Sequence, residues 1–479
     1  MHLPVILRIT GILLTVFSMT LLAPALVGYL FDEPTVRTFL IPFAITLASG
    51  LAMWLPLRRY RDLRAGDGFL VTALFYVSLG LFGAIPISMS IGDLSFTDAA
   101  FESLSGLTTT GATVLTGLDD LPKSLLFYRQ LLQWFGGMGI IVLAVAILPM
   151  LGIGGMQLYR AESPGPVKDT KLTPRITETA KALWYIYVTL TLTCAVCYFL
   201  GGMSVFDAIC HAFSTVAIGG FSTHDQSMAY FDSQAIETVA IVFMLLAGIN
   251  FGLHFTVLAR KNPLHYFRDW EVRTYLGMVA LVAGVVTLTL VEQGGSDAPI
   301  REGLFQVVSI ATTTGFTTAD YSVWPGAVPI ILLLAAFTGG CAGSTAGGIK
   351  VIRVLLIYLQ GWREVKRLIH PSGVFPIKVG DHPVPDRVIE AVWSFFAAYV
   401  FIFLLMTTLV MLLSGIDFVT AFSAVGACLN NLGPGLGEVA LNYQGLDASV
   451  KWVLILAMLL GRLEIFTLLV LLSPTFWRR

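Results

Sequence analysis

Uncharged or nearly uncharged apolar runs alternate along the chain with short charged connections, and ten of the runs reach the roughly 20 residues a helix needs to cross a bilayer. They lie at about 9–31, 38–57, 69–92, 130–151, 182–203, 238–259, 274–291, 325–349, 391–416 and 452–473. The pattern predicts ten spanning helices, and an even number places both termini on one side. Shorter apolar stretches, too brief to cross, follow the third, fifth, seventh and ninth spans and suit re-entrant segments. From residue 69 onward, a unit of span, short segment and span therefore repeats four times.

Lysine and arginine assign the sides, because cytoplasmic loops carry the excess. The connections after the even-numbered spans, with the C-terminus, hold 22 of the 29 basic residues, among them Arg58, Lys181, Arg260, Lys350, Arg363 and Arg387. Both termini are thus predicted to be cytoplasmic. The opposite face has Arg37, Lys123, Arg129, Arg301 and Lys451 against 18 of the 30 carboxylates. Such a face concentrates cations; it is equally what a positive-inside bias leaves outside.

Composition agrees with lipid as the main solvent. Of 479 residues, 56% are hydrophobic and only 12% charged, with a mean hydropathy of +0.81 and a formal net charge of −1. The charged share is half the usual value of about 25%. A chain of this kind cannot cover several soluble cores with polar surface, which excludes most enzyme classes, and its near-neutral total excludes a nucleic-acid binder. A membrane enzyme would need catalytic acids, histidines or metal ligands clustered near one interface, and none stands out. The first run could pass for a signal peptide with a small-residue site around Ala23 and Ala25, but it exceeds the roughly 7–15 residues of such a segment and reads as a retained span. Cys194, Cys197, Cys210, Cys341 and Cys428 are scattered through apolar segments and read as small buried hydrophobes.

The short segments read DAAFESLSGLTTTGAT from Asp98, DAICHAFSTVAIGGFST from Asp207, EGLFQVVSIATTTGFTT from Glu302 and TAFSAVGACLNNLGPGL from Thr420. Aligned without gaps on Gly111, Gly220, Gly315 and Gly433, they superpose the small residues Ala99, Ala208, Gly303 and Ala421, and then Ser105, Ser214, Ser309 and Ala427. Each is predicted to open a helix at its acid or threonine, run three turns, and end in a loop hinged on glycine, which takes positive φ readily. Non-helical backbone at membrane depth is tolerated only where it is buried in protein or lines water, so the four loops should meet around an aqueous axis. Rings of carbonyl oxygens replacing a hydration shell are what a dehydrated monovalent cation requires.

These motifs resemble the Trk/Ktr/HKT superfamily of potassium transporters, and within it the TrkH/TrkG type of subunit, over essentially the whole chain. The resemblance rests on the loops TTTGAT, AIGGFST, TTTGFTT and NLGPG, on FTGGCAGSTAGGIK at 337–350, and on GRLE at 461–464. The two helices before the first repeat are similar to the extra pair that TrkH-type subunits carry. The resemblance implies a single-chain pseudo-fourfold pore for K⁺ in the bacterial inner membrane, a homodimer, and no organic cofactor on this chain. It also implies a cytoplasmic TrkA-like regulatory subunit that binds NAD or ATP/ADP and controls opening. The filter positions it carries over are Thr109, Thr110 and Gly111; Ile218, Gly219 and Gly220; Thr313, Thr314 and Gly315; Asn431, Leu432 and Gly433. Ile218 and Leu432 replace threonine, so weaker discrimination of K⁺ from Rb⁺ or Na⁺ is expected than in channels with a TVGYG run.

The eighth span contains five glycines between Gly339 and Gly348, and each costs a helix about 1 kcal/mol relative to alanine. The span should break there, and in the family the matching stretch acts as a gate. Gly339, Gly340, Gly343, Ser344, Thr345, Gly347 and Gly348 are accordingly expected to obstruct the inner pore until the partner moves the flanking helix. The same stretch nearly reads as a phosphate-binding loop, but Ile349 intervenes before Lys350 and no strand precedes it. Arg462 lies about ten residues into the last span, where an arginine needs an aqueous cavity or a partner. The family supports a place beside the pore beneath the filter, as an electrostatic barrier; a pair with a carboxylate or with loop carbonyls is the alternative. His211, His224 and His254 are not spaced as a ligand set, and Gln133 and Asn250 are expected to join helix contacts.

The predicted fold is an all-α polytopic membrane protein, not an enzyme. Residues 1–68 form two N-terminal helices, and pore repeats follow at 69–181, 182–272, 273–388 (with an intramembrane loop at 338–348) and 389–479. An H⁺- or Na⁺-coupled alternating-access symporter is the rival reading; such transporters often have inverted repeats, whereas these four all start on the predicted cytoplasmic side. The basic stretch 350–387 suits either partner docking or plain solvation.

Overall fold

Large apolar side chains lie on the outside of the long helices. Leu281 is 69% exposed on Trp270–Gln293 and Leu412 is 78% exposed on Asp386–Ser414. Such a surface suits lipid, and the internal hydrogen bonding of a helix is the condition for lying in it. The structure, a computed structural model, describes residues 2–60, 65–139, 176–380 and 382–477. Among these, the only strands are the two-residue pair Lys378–Val379 and His382–Pro383.

Among the described residues, six stretches are helical, long and apolar enough to cross: Leu3–Leu30, Val36–Trp54, Asp67–Ser90, Lys181–Leu200, Trp270–Gln293 and Asp386–Ser414. The sixth and tenth expected spans are not straight. Gln234–Ala247 and Phe251–Arg260 meet at 95°, and Ala448–Arg462 meets the next helix, beginning at Ile465, at 112°. The first bend is stabilised by Asn250, whose side chain caps the new helix by accepting from the Gly252 N–H at 2.7 Å. The second turns at Glu464, which has φ +58°. The eighth expected span keeps helix only over Val328–Thr338; its glycines form a loop, and an amphipathic helix resumes at Val351. The fourth begins early, as Lys123–Gly137. Residues 140–151 lie outside the described residues, as do Arg160, Lys168, Lys171 and Arg175, the other basic residues of the connection that ends at Lys181.

The four short segments are helices Phe96–Leu107, Val205–Ala217, Pro299–Ala311 and Phe418–Asn430. They start two or three residues before the acids and threonine predicted to open them. Ser95 caps the first by accepting from the Asp98 N–H, Ser204 the second from that of Asp207, and Asp417 the fourth from that of Thr420. The third starts on Pro299, a residue preorganised for a first turn. Asp98 and Asp207 instead sit in the first turn, each accepting its cap serine's hydroxyl.

Among the described residues, most of the core lies in two of four hydrophobic clusters. One joins the N-terminal helices to the first and fourth repeats, as in Leu14, Phe101, Val425 and Leu454; the other joins the second and third, as in Val216, Met244, Val307 and Leu332. The N-terminal pair is also fastened by a carboxylate. Glu33 accepts from the N–H groups of Lys123 and Ser124 at 2.6 and 3.1 Å, supplying the first turn of Lys123–Gly137 with the side-chain cap it lacks.

Candidate functional site: a ring of four loops

Each short helix hands its chain to a loop of one repeating conformation. The residue two before the aligned glycine has left-handed backbone in all four, with φ of +56° at Thr109, +56° at Ile218, +66° at Thr313 and +54° at Asn431. The glycines follow at +80°, +80°, +87° and +98° for Gly111, Gly220, Gly315 and Gly433. Positive φ is uncommon in residues with a side chain. Four at one aligned position mark a geometry that its surroundings enforce. The residue between them is fixed by a further repeated bond: the N–H groups of Thr110, Gly219, Thr314 and Leu432 donate to the carbonyls of Ser105, Ser214, Ser309 and Ala427 at 2.8–2.9 Å.

The loops close on one another in order. A Cβ at Gly111 would stand 2.0 Å from the Gly219 carbonyl oxygen, one at Gly220 2.0 Å from that of Thr314, one at Gly315 2.2 Å from that of Leu432, and one at Gly433 2.8 Å from that of Thr110. Every candidate filter residue named from the sequence therefore belongs to this ring, and only glycine lets neighbouring backbones approach so closely. All four glycines line a cavity of about 80 Å³ on one face of the ring, the outer face in the predicted topology, while Asn431 lines one of about 150 Å³ on the opposite, inner face.

The outer cavity is bounded by charge. Arg129 and Glu102 form a buried ion pair at 2.7 Å; the guanidinium also donates to the Ser222 carbonyl and the Thr113 hydroxyl, both at 3.1 Å, and lies over the Phe221 ring. One pair thus ties the first two loops together just outside the ring. Removing one partner of a buried pair leaves an uncompensated charge, so Glu102→Gln should destabilise the protein by about 3–5 kcal/mol. Thermal unfolding of the purified chain measures this, and an unchanged midpoint would refute it. His224 stacks on Tyr230 and bonds to Asp119, with Asp207 at 3.5 Å. Burial alone would lower its pKa, but the two carboxylates outweigh burial and raise it. His211 bonds to Ser222 and the Asp207 carbonyl, and His254 to Tyr266 and the Leu246 carbonyl.

On the inner side, the glycine-rich stretch crosses beneath the ring and touches three repeats. The Gly347 N–H donates to the Thr313 hydroxyl at 2.7 Å, the Gly348 N–H to the Asn430 carbonyl at 3.1 Å, and the Thr345 hydroxyl to the Val216 carbonyl at 3.0 Å. Gly339 and Gly340 lie at its start, where a Cβ on Gly340 would stand 2.7 Å from that of Ala346, and the Gly343 carbonyl accepts from the Phe251 N–H. The Ser344 hydroxyl donates to the Cys341 carbonyl. Arg462 faces this loop, donating to the Thr345 carbonyl at 3.2 Å, to the Gly136 carbonyl, and to the Tyr76 hydroxyl at 3.4 Å. Its near neighbour Glu464 pairs instead with Arg353 at 2.8 Å.

Sequence reasoning missed two groups here. Gln133 is not merely a helix contact: its amide donates to the Gly219 carbonyl at 2.6 Å. The paired hydroxyls Thr108–Thr110 and Thr312–Thr314, 2.8 and 2.7 Å apart, brace the first and third loops from within. The repeated TTT was the visible signal for the second group. An uncharged polar residue within an apolar run was the only signal for the first.

Same-sense repeats, re-entrant helices and a ring of conformationally identical loops define a polytopic α-helical membrane protein of the pore-loop class. Comparison with known proteins gives the family: residues 36–479 match the TrkH cation transport protein family, and the chain belongs to it. It is 56% identical to the Trk system potassium uptake protein TrkH of Halomonas elongata and 53% identical to that of Escherichia coli, over the full length of each. It is 42% identical to the Trk system potassium uptake protein TrkG of Escherichia coli over 100% of this chain and 99% of that protein. The crystal structure of the potassium transporter TrkH from Vibrio parahaemolyticus, 53% identical, superposes with a TM-score of 0.90 over 100% of both chains. The family is one of transporters and not of enzymes.

Proposed function

We propose that the chain takes up K⁺ across the bacterial inner membrane through the ring of four loops. The observation that carries this reading is the closed cycle of glycine-to-carbonyl contacts, which supports a fixed set of backbone oxygens on one axis. A stripped K⁺ exchanges its water for such oxygens. Four short helices direct their C-terminal ends at the ring, and their dipoles favour a cation there. The filter consists of Thr109–Gly111, Ile218–Gly220, Thr313–Gly315 and Asn431–Gly433. The stretch 338–348 is the gate below it and Arg462 is the barrier beside it, with the N-terminal pair and four repeats divided as the sequence predicts. Both termini are cytoplasmic, the chain works as a homodimer, and a TrkA-like subunit binding NAD or ATP/ADP controls the gate.

The test is flux through the purified chain in liposomes, with the partner present. K⁺ should move down its own gradient without an imposed pH or Na⁺ gradient, with Rb⁺ and Na⁺ following more slowly. Flux only when H⁺ or Na⁺ moves with K⁺ would establish the symporter instead, and no cation flux in any condition would overturn the transport reading.

A further inference from the structure

The second loop lacks the hydroxyl brace that holds the first and third. Where the first and third loops place Thr108 against Thr110 and Thr312 against Thr314, it has Ala217 and Gly219, and Gly219 is followed by another glycine. Two consecutive glycines are the least constrained backbone a loop can have. The equivalent restraint comes from outside the loop. Gln133, fully buried on Lys123–Gly137, donates its amide N–H to the Gly219 carbonyl at 2.6 Å. Its amide oxygen accepts from the Phe221 N–H at 3.1 Å and lies 2.6 Å from the Ser214 hydroxyl, whose single proton it shares with the Gln130 amide oxygen. The amide thus grips the backbone on both sides of Gly220. Its orientation is determined, because the reversed amide would set two N–H donors face to face and two carbonyls face to face. The fit is also mutual: a Cβ on Gly219 would lie 2.4 Å from the Gln133 amide carbon, so the absence of a side chain at 219 lets the amide reach the loop.

We propose that Gln133 is a positioning residue for ion selectivity, holding the Gly219 carbonyl at its station in the ring. The proposal rests on the reading of that ring as the K⁺ filter. Gln133 acts through the loop and not on the ion, so its loss should alter which cations pass more than how much cation passes.

Gln133→Met keeps the volume and removes both hydrogen-bonding functions. In liposomes containing the full chain with its partner, the variant should still carry K⁺, with its K⁺-over-Na⁺ flux ratio reduced about tenfold, the scale of one lost buried hydrogen bond. Ser214→Ala leaves the Gln133 amide and its two backbone bonds in place but removes the hydroxyl it shares with Gln130, and should lower the ratio in the same direction by a smaller factor. If Gln133→Met does not yield folded protein, Ser214→Ala decides alone. Wild-type ratios in the folded variants would make Gln133 a packing residue and overturn the proposal. A wild-type chain without K⁺ flux would instead overturn the transport reading, before any variant is compared.

Discussion

Gly220→Ala is expected to reduce K⁺ uptake about a hundredfold, the scale on which ångström displacements of a site's groups act, while the protein still inserts and folds. Two effects combine at this position. Its φ of +80° is strained for any residue with a Cβ, and the added carbon would stand 2.0 Å from the Thr314 carbonyl oxygen, a backbone atom that cannot rotate aside as a side chain could. The third loop must therefore shift, and the displaced carbonyl belongs to the ring itself. Gly277→Ala is the control: that glycine lies in Trp270–Gln293 with nothing within 4 Å of its would-be Cβ, so uptake should equal wild type. Uptake by cells lacking other K⁺ systems, normalised to protein in the membrane, measures both. A Gly220→Ala chain transporting within a few-fold of wild type would mean that the ring tolerates displacement and is not the filter.

The register of this ring was legible in the sequence because the four loops share one short conformation, which selects glycine at one position and leaves small residues at fixed distances before it. Gly111, Gly220, Gly315 and Gly433 align without gaps, and the backbone repeats at each of them. The interruption at Gly339–Gly348 was legible for a similar reason, since five glycines oppose a helix. The bends at Asn250 and Glu464 were not, because both limbs of each bent pair are apolar and composition carries no direction. The caps are Ser95, Ser204 and Asp417 and not the residues three further on, Asp98, Asp207 and Thr420, although the S-x-x-D spacing of the first two is itself a capping signal. The role of Gln133 lay beyond reach, since its partner is 86 residues away and only the fold brings the two together.

Arg462→Gln is expected to raise K⁺ flux about tenfold, and Arg462→Lys separates two ways in which it could do so. The guanidinium lines the inner cavity, and its hydrogen-bond acceptors are neutral: two carbonyls and a phenol. A cation leaving the ring meets that charge in a confined space. Unit charges at 4 Å and an effective dielectric near 20 interact by about 4 kcal/mol, so even a well-screened remnant of 1.4 kcal/mol corresponds to a factor of ten in rate. Arg462 also binds the Thr345 carbonyl, which ties the last helix to the loop beneath the ring. Lysine keeps the charge but not the fork that reaches several acceptors at once. If the barrier is electrostatic, Arg462→Lys should conduct like wild type and only Arg462→Gln should gain flux. If Arg462 acts as a clamp on the loop, both substitutions should free it, and flux should rise in both and depend less on the partner. Wild-type conductance in Arg462→Gln would exclude both roles and leave the arginine a purely structural one, joining Gly136, Thr345 and Tyr76 where three segments converge.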